Sequence, residues 1–577
     1  MLSAAPYRWF GSHRETVIVL ALTVLAFSVR LYRVDFNSLS EDEVAKWSAV
    51  QEYRHGHFAG VNSEHPMLPK LLAWASLSVG HRWARVAEAH GWSSLNPEGW
   101  LRLPNVVFGA ISAAILYLLC RRMMGIAGSF GASFFWAVAP LPVALNRLMK
   151  EETPLAFFTL LACYFYFRAE QAEVDRSARS WYDLSAMGFG LSFASHYTFH
   201  LLGLNALAWF IAGRMGLTRG RSRFSYKRFF LVLLLTFILV NPVVLSPANF
   251  NAILHWLHHD GVRHTGYDFG GTLYVNFPSR LLAGVPWFYY LWLLVVKTPI
   301  PILLAVIVGG ALLLRDRRTL ASCFFLSLGI VQLVGLSVSG AKWIRYSLPM
   351  LPFFYLAGGY AVQQIWKRVK GKAWSPVLVG TTAVILIGWP LLELQAWAPY
   401  YSFYLNPIGG GTRNITRYFA PDEVAEFDTR EVAQQVCPFA PVGTRLATAR
   451  PMSMGYYLDT CARNDIQVVP LYDARYTPRN GDLIILEPSR RFLETQRYFD
   501  TLSHSGMSHS PVRVGPVLAS TIYLFDPSVP QQGNTEEDLT LSHVGAVPTQ
   551  FDSGAQKSNL AAMISSPFSR LSRRHTQ

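Results

Sequence analysis

The hydrophobic residues of this chain fall in blocks, most of them close to the roughly 20 residues that an α-helix needs to cross a bilayer core. This pattern predicts a polytopic membrane protein that is mainly α-helical, with about eleven membrane-spanning helices and a count between ten and thirteen. The range 184–213 fits either two short helices or one long kinked helix. The predicted spans cover residues 16–32, 103–120, 125–145, 153–168, 184–196, 198–213, 229–247, 295–314, 319–338, 347–366 and 375–396.

Composition agrees with a membrane protein, since 51% of the 577 residues are hydrophobic and only 15% are charged. A soluble protein of this size carries about a quarter charged residues. The formal net charge of +15 would suit a nucleic-acid binder, but the basic residues sit mainly in short clusters between the hydrophobic blocks. That distribution is typical of cytoplasmic loops and argues against a surface that follows a phosphate backbone.

The basic clusters also predict the orientation of the chain. They occupy every second loop, which places the N-terminus in the cytoplasm and makes the first span a retained signal-anchor helix. Residue Asp42, the turn 146–153, the loop 248–294 and everything after residue 397 then lie on the outer side. The basic clusters themselves are 121–122, 168–179, 214–228, 315–318 and 367–372.

Three regions follow from this layout. A membrane domain spans residues 1–396 and includes a first external loop at 33–102 and another at 248–294. Within these loops, MLPKLLAWASLSVG and PWFYYLWLLV suit helices that lie in the membrane interface. Short β-like runs then predict a soluble external mixed α/β domain over 397–528, followed by a polar, disordered tail at 529–577. The runs are RLATA (445–449), IQVVP (466–470), DLIILEP (482–488) and ASTIYLF (519–525).

Two of the five cysteines lie in the predicted external domain. A disulfide between Cys437 and Cys461 is reasonable if that side is oxidising, although sequence alone leaves the pairing open. The other three cysteines lie in predicted spans, where a cysteine is typically a small buried hydrophobic residue.

Two clusters of acids stand at predicted outer helix ends. Glu41, Asp42 and Glu43 follow the first span, and Glu151 with Glu152 precede the fourth. Acids at the start of a helix stabilise its dipole, so a capping role alone is one interpretation. The other is catalysis, because a carboxylate poised as a base can activate a hydroxyl acceptor.

Basic residues at the same predicted level are candidates for binding phosphate. Lys342 and Arg345 lie three positions apart in a short outer turn, so a helical turn would put them on one face. Arginine can bind a phosphate group through two parallel hydrogen bonds. Lys297 is a further candidate of this kind. The alternative is that these side chains only reach out to lipid headgroups.

Histidines leave a metal site as an open question. His255, His258 and His259 have a spacing that could present two ring nitrogens for Zn²⁺ on one helical face. Together with Glu64 and His65, the last two are the metal candidates of the sequence, against the interpretation of an ordinary solvated loop. The sequence contains no P-loop, no dinucleotide-binding glycine motif and no nucleophile elbow, so nucleotide hydrolysis and serine-hydrolase chemistry have no support.

An ordered set of motifs resembles a known family. Between residues 16 and 411 the chain resembles the bacterial membrane glycosyltransferases related to protein O-mannosyltransferases and to lipid A aminoarabinose transferase, in the GT-C class. The motifs are Asp42-Glu43, Glu64-His65-Pro66, Arg102-Leu103-Pro104, an acid before Thr153-Pro154-Leu155, PWFYYLWLLVVKTPIP, GAKWIRYSLPMLP and YYSFYLNPIGGG.

The resemblance implies transfer of a sugar from a polyprenyl-phosphate carrier at the outer face of a bacterial inner membrane. By position, Asp42 and Glu43 match the catalytic acid pair of the first loop, and Glu152 matches a second-loop acid that is usually Asp. His65 stands where some relatives place a Lys beside the donor phosphate. Some relatives carry a divalent metal and others do not, so no cofactor is implied with certainty.

These observations lead to one hypothesis and two alternatives. We expect an inverting glycosyltransferase that uses Asp42 as the base, Glu152 to position the acceptor or the base, and Lys342 and Arg345 to bind the donor phosphate. The acceptor would be a protein, lipid A or another envelope glycan. The alternatives are a transporter or flippase of lipid-linked sugars, and an oligosaccharide transferase of the GT-C class.

Overall fold

Helices build the first three quarters of the chain. The structure is a computed structural model, and it describes residues 13–58, 62–218, 224–258, 266–276, 281–370, 375–419 and 428–529. The predicted tail, residues 529–577, lies outside the described residues except for residue 529. The helices of the first part are α1 (His13–Leu31), α2 (Glu41–Arg54), α3 (Met67–His90), α4 (Pro97–Cys120), α5 (Ile126–Val138), α6 (Pro140–Leu145), α7 (Glu152–Gln171), α8 (Asp175–Ser195), α9 (His200–Arg214), α10 (Tyr226–Val240), α11 (Pro247–His258), α12 (Tyr289–Val296), α13 (Ile300–Arg315), α14 (Leu320–Phe324), α15 (Gln332–Val338), α16 (Leu351–Val369), α17 (Ser375–Ala383) and α18 (Trp389–Ala396).

The predicted spans coincide with helices of the structure. Three helices in the described residues are long and apolar enough to cross a membrane: Pro97–Cys120, Leu320–Val338 and Val377–Ala396. The second of these joins α14 to α15 through the π-helical segment Phe325–Val331. The ambiguous range 184–213 forms two helices, α8 and α9. The chain is thus mainly helical with membrane-spanning segments, while the count of eleven spans stays a prediction.

Small residues let the helices approach closely. Gly309 of α13 lies so near the backbone of α16 that an added Cβ would stand 1.7 Å from the carbonyl oxygen of Ala357. Gly359 of α16 approaches α5 in the same way, with a Cβ position 2.3 Å from the carbonyl oxygen of Gly128. Close contact through small residues is a common way for helices to associate in a membrane, where burial of apolar surface gives no driving force.

A small sheet follows the helical part. Its strands are β3 (Arg445–Thr448), β4 (Gln467–Pro470), β5 (Leu483–Leu486), β6 (His509–Val514) and β7 (Val517–Leu524), after an earlier hairpin of β1 (Tyr267–Phe269) and β2 (Thr272–Tyr274). The strand order is β4-β3-β5-β7-β6, parallel among β4, β3 and β5 and antiparallel for β7 and β6. Four of the strands fall on the predicted runs, and the sequence did not single out β6.

Three helices, α19 (Thr429–Val436), α20 (Pro451–Thr460) and α21 (Gln496–Leu502), accompany the sheet. Cys437 and Cys461 form a disulfide that ties the end of α19 to the end of α20. The other three cysteines are buried and free. The region is therefore mixed α/β, and its division from the rest as a separate domain stays a prediction.

Helix α2 is held at its start by a cap and a buried ion pair. Ser40 caps the helix, with its hydroxyl accepting from the Glu43 N–H, while the Glu43 carboxylate accepts from the Ser40 N–H. The same carboxylate binds Arg102 of α4 through two hydrogen bonds of 2.8 Å, and both side chains are fully buried. It also accepts at 2.8 Å from the Met149 N–H, in the turn before α7. One carboxylate therefore joins α2, α4 and the turn 146–151.

Substitution of Glu43 by Gln tests this ion pair. Burial alone would raise the pKa of Glu43, but the charge and hydrogen bonds of Arg102 lower it to about 2. Removing one partner of a buried pair leaves an uncompensated charge, so we expect Glu43→Gln to lower the free energy of unfolding by about 3 kcal/mol. Since the folded pKa is depressed, this stabilisation is present at neutral pH and is lost as the pH falls through about 4 toward 2.

Thermal unfolding of the purified protein in detergent measures the effect. Glu88→Gln, at an exposed position of α3, is the matched control and should leave the unfolding midpoint unchanged. A midpoint for Glu43→Gln equal to that of the control would show that the pair contributes little.

Substitution of Gly309 by Ala tests the close approach of α13 to α16. The added methyl group has no room beside the Ala357 carbonyl, so the helices must separate, at about 1–3 kcal/mol of stability. Gly335→Ala is the control, because it lies in a helix of similar character and a Cβ there meets no atom within 4 Å. Equal unfolding midpoints for the two variants would contradict the tight contact.

Candidate active site

A group of charged side chains gathers where four segments of the chain meet. They are the start of α2, the turn before α3, the turn before α7 and the turn before α16. We call this group the charged cluster, and its members are Asp42, Lys46, His65, Lys150, Glu151, Glu152 and Arg345. The side-chain amide of Asn105 of α4 holds the turn before α7 by donating hydrogen bonds to the carbonyls of Leu148 and Lys150.

Asp42 is the most accessible carboxylate of the cluster, with 37% of its side chain exposed. It forms an ion pair with Lys150, and a guanidinium nitrogen of Arg345 lies 4.0 Å from the same oxygen. Burial would raise the pKa of this carboxyl, but Lys150, Arg345 and Lys46 outweigh it and hold the pKa well below the usual range. Asp42 is therefore ionised at neutral pH, and it faces two cations.

Glu151 lies behind Asp42 and is 3% exposed. One of its oxygens is 2.8 Å from the Lys46 ammonium and 3.2 Å from Nδ1 of His65. Burial would raise the pKa of Glu151, but His65 and Lys46 outweigh burial, so the pKa is lowered from its usual value. Burial also lowers the pKa of His65, which Glu151 offsets only in part. His65 is thus oriented by a carboxylate.

Glu152 forms an ion pair with Arg345. Its Oε1 lies 3.2 Å from Nε of Arg345, and its buried Oε2 has no hydrogen-bond partner among the described residues. The Arg345 guanidinium stands 5.6 Å from the ring centres of both Trp343 and Tyr346, so aromatic faces help to fix its direction. The Arg345 side chain is 21% exposed.

The charges of the cluster balance. Three carboxylates stand against Lys46, Lys150 and Arg345, and each carboxylate contacts at least one of these cations. A buried charge without a partner of opposite sign would lower the stability of the fold by several kcal/mol. An anion that enters the cluster must therefore compete for cations that already have partners, and it would release a carboxylate by doing so.

The remaining candidates from the sequence make other contacts. The Lys342 ammonium, on a residue 1% exposed, donates to the carbonyls of Val285 and Ser339, and burial lowers its pKa to about 8. The turn that carries Lys342 and Arg345 becomes 3₁₀-helical only from Ile344 onward. The two cations therefore do not share a helical face as the spacing suggested.

Three further candidates also bind groups outside the charged cluster: Lys297, Glu43 and Glu64. Lys297 donates at 2.7 Å to the carbonyl of Ser402. Glu43 is fully buried with both oxygens on Arg102, and these contacts support a structural role rather than contact with a substrate. Glu64 accepts at 2.8 Å from the Asn62 amide.

Sequence reasoning did not single out Lys46 and Lys150, although signals for both existed. Lys46 follows Asp42 by four positions on a helix, a spacing that puts both on one face. Lys150 directly precedes the second acid pair. Lys70 was also missed: it is buried, donates to the carbonyls of Asn62 and His65 at 2.6 and 3.0 Å, and has its pKa lowered by burial to about 8.

Within the described ranges, no group of three or more His, Cys, Asp or Glu side chains is arranged to hold a metal ion. Of the four metal candidates, Glu64 and His65 are described and bind Asn62 and Glu151 instead. His259 lies outside the described residues, and the side chain of His258 is not described. A metal requirement stays open.

Comparison with known proteins gives a family match. Residues 95–245 match the family model of dolichyl-phosphate-mannose-protein mannosyltransferases. This range holds all of α4, the turn with Lys150, Glu151 and Glu152, and the helices up to α10.

Individual relatives are similar to this chain either over part of its length or at low sequence identity. YkcB of Bacillus subtilis (strain 168), a candidate mannosyltransferase, is 35% identical over 169 residues, which is 27% of this chain and 21% of that protein. The match therefore spans about a fifth of the relative. ArnT from Cupriavidus metallidurans bound to undecaprenyl phosphate is 14% identical, with 88% of this chain and 97% of that chain covered at a TM-score of 0.48. The apo oligosaccharyltransferase of Archaeoglobus fulgidus is 11% identical, with 81% and 66% covered at 0.47.

The family match falls on the region that carries the second-loop acid motif and its flanking spans, in the order in which the sequence analysis placed them. It confirms the resemblance of this chain to the GT-C membrane glycosyltransferases, with a mannosyltransferase-like character.

Proposed function

We propose that this protein transfers a monosaccharide from a polyprenyl-phosphate carrier to a hydroxyl-bearing acceptor, with inversion at the anomeric carbon. The observation that carries the proposal is the arrangement around Asp42: an accessible carboxylate directly beside two cations, Lys150 and Arg345. A transferase of this kind needs a base for the acceptor and positive charge for the departing phosphate. The family match supports a lipid-phosphate donor, because the family is described as acting with dolichyl-phosphate-mannose.

Asp42 is the proposed base. With Lys150 and Arg345 as its partners, Asp42 has a pKa too low for an efficient base, because these cations stabilise the ionised form. A donor phosphate that binds these cations would weaken their hold on Asp42 and raise its basicity at the moment when the acceptor is present. The proton of the acceptor hydroxyl then moves to Asp42 as the oxygen attacks the anomeric carbon. The bond from that carbon to the phosphate oxygen breaks, and polyprenyl phosphate leaves with the electron pair.

Arg345 is the proposed ligand of the donor phosphate, with Lys150 as its neighbour. Arg345 is partly exposed and forms ion pairs within the cluster. A planar guanidinium can bind two phosphate oxygens at once. Lys342 and Lys297 are bonded to backbone carbonyls, so we assign them to holding the loops around the site. We assign Glu152 to positioning the acceptor or the base, and His65, which binds Glu151, to supporting the cluster rather than to the donor phosphate.

The proposed setting is the outer face of a bacterial inner membrane, with the region after residue 397 on the same side as the charged cluster. Contacts between this region and α2 support that side assignment, since the Glu41 carboxylate meets Met452 and Ser453. The acceptor class stays open among proteins, lipid A and other envelope glycans.

Substitution of Asp42 by Asn should abolish transfer while the protein stays folded. Loss of a general base typically lowers the rate by about 10² to 10⁴. The assay uses purified protein in detergent with a panel of radiolabelled polyprenyl-phosphate monosaccharides and envelope extract as the acceptor, and it follows release of polyprenyl phosphate.

Glu52→Gln is the matched control, because Glu52 lies on the same helix but pairs with His57 at the surface. Full activity of Asp42→Asn would reject Asp42 as the base. Binding of labelled donor by the wild type without any release would reject the transferase and favour a transporter of lipid-linked sugars.

Substitution of Arg345 by Gln should weaken binding of the donor lipid. A hydrogen bond to a charged group contributes about 1.5–3 kcal/mol, so we expect the Kd for undecaprenyl phosphate to rise about 10- to 100-fold. Arg413→Gln, at an exposed position after α18, is the control and should bind as the wild type does. An unchanged Kd for Arg345→Gln would move the phosphate site to another cation.

A further inference from the structure

The residue before the proposed base is bonded to a different part of the chain. The Glu41 carboxylate accepts hydrogen bonds from the backbone N–H groups of Ser453 at 2.7 Å and Met452 at 3.4 Å. Both groups belong to the first turn of α20, beside the small sheet. The N–H groups of a first helical turn have no partner within the helix, and the helix dipole favours a negative charge there. Glu41 of α2 therefore caps α20 across 411 and 412 positions of sequence.

Other contacts fasten α20 along the same segment. The Tyr457 hydroxyl accepts from the Leu39 N–H at 2.7 Å and donates to Glu98 at 3.3 Å. The ring of Tyr456 meets Trp47 of α2 edge-on, with centroids 5.6 Å apart. The contacts with Leu39 and Trp47 run from two residues before α2 to its second turn, so α20 lies beside the part of α2 that carries Asp42 and Lys46.

Helix α19 binds the segment that leads into α2. Arg430 binds Glu98 at 3.0 Å and donates to the carbonyls of Asp35 and Phe36 at 3.3 and 3.4 Å. Its own N–H donates at 2.9 Å to the Ser38 hydroxyl. The segment from Asp35 to Glu41 is thus bracketed by α19 and α20.

The start of α20 is itself firmly placed. Arg450, directly before the helix, is 1% exposed and forms an ion pair with Asp428, with Glu487 at 3.9 Å and the Ser489 hydroxyl at 3.1 Å. These partners come from the segment before α19 and from the residues that follow β5. Because the N-terminus of α20 is anchored to the sheet in this way, Glu41 binds a fixed point rather than a mobile loop.

Successive residues on a helix point about 100° apart, so Glu41, Asp42 and Glu43 face three directions. Glu41 faces α20, Asp42 faces the charged cluster, and Glu43 faces Arg102. The rotation of α2 about its axis is therefore fixed from both sides of Asp42. We propose that Glu41 is a positioning residue through which α20 holds the base in its working direction. This inference rests on the proposed function, since it concerns the orientation of Asp42 during transfer.

Two substitutions at Glu41 in the full-length protein test the inference. Glu41→Ala removes the bond to α20, and we expect kcat for release of polyprenyl phosphate to fall about 10-fold or more. The Kd for undecaprenyl phosphate should stay unchanged, because Lys150 and Arg345 are untouched. Glu41→Gln keeps an oxygen that accepts from the Ser453 N–H, so it should recover most of kcat. A merely structural role would not separate kcat from Kd in this way.

Hydrogen exchange gives a readout that does not depend on activity. The amides of residues 451–460 and 41–54 should exchange faster in Glu41→Ala than in the wild type, while Glu52→Ala, at the other end of α2, should leave residues 451–460 unchanged. Wild-type kcat in Glu41→Ala, beside an active and Asp42-dependent wild type, would overturn the inference alone. Absence of Asp42-dependent release in the wild type would instead overturn the proposed function on which the inference rests.

Discussion

A single buried carboxylate holds together the elements that form the candidate site. Glu43 binds the guanidinium of Arg102, caps its own helix through Ser40 and accepts from the backbone of Met149. A carboxylate with no exposure must be compensated, and here the compensation comes from α4 and from the turn before α7. The start of α2 and the second pair of acids are thereby brought to one place. The distances within the charged cluster depend on this arrangement.

The three consecutive acids show how one local pattern divides into separate roles. All three stand in the first turn of α2, where negative charge favours the helix dipole. Their surroundings differ, because the helix turns each side chain toward another part of the molecule. Only Asp42 keeps substantial exposure together with two cations as neighbours. The choice between a capping acid and a reacting acid is therefore made by what packs around α2.

The proposed function requires the cations of the charged cluster to exchange carboxylate partners for a phosphate. The three cations are already paired, which keeps the carboxylates ionised and balances the charge of the cluster. Under the proposed function, a lipid phosphate replaces carboxylates as the partner of Lys150 and Arg345, and this replacement links donor binding to the basicity of Asp42. The contacts of Glu41 with α20 add a further constraint, since they connect the helix that carries Asp42, the proposed base, to the region of the small sheet.

The sequence by itself determined the mainly helical, membrane-spanning character, four of the five strands of the small sheet and the two acid clusters, because hydrophobic block length and short β-like runs are local properties. It also contained the motifs that resemble the GT-C glycosyltransferases. Tertiary structure alone decided that Arg345 joins the cluster and Lys342 does not, and that Lys46 and Lys150 belong to it. Ion pairs such as Glu43 with Arg102 and Asp42 with Lys150 connect residues 59 and 108 positions apart. Pairing over such separations follows from how the helices pack, and no local pattern encodes it.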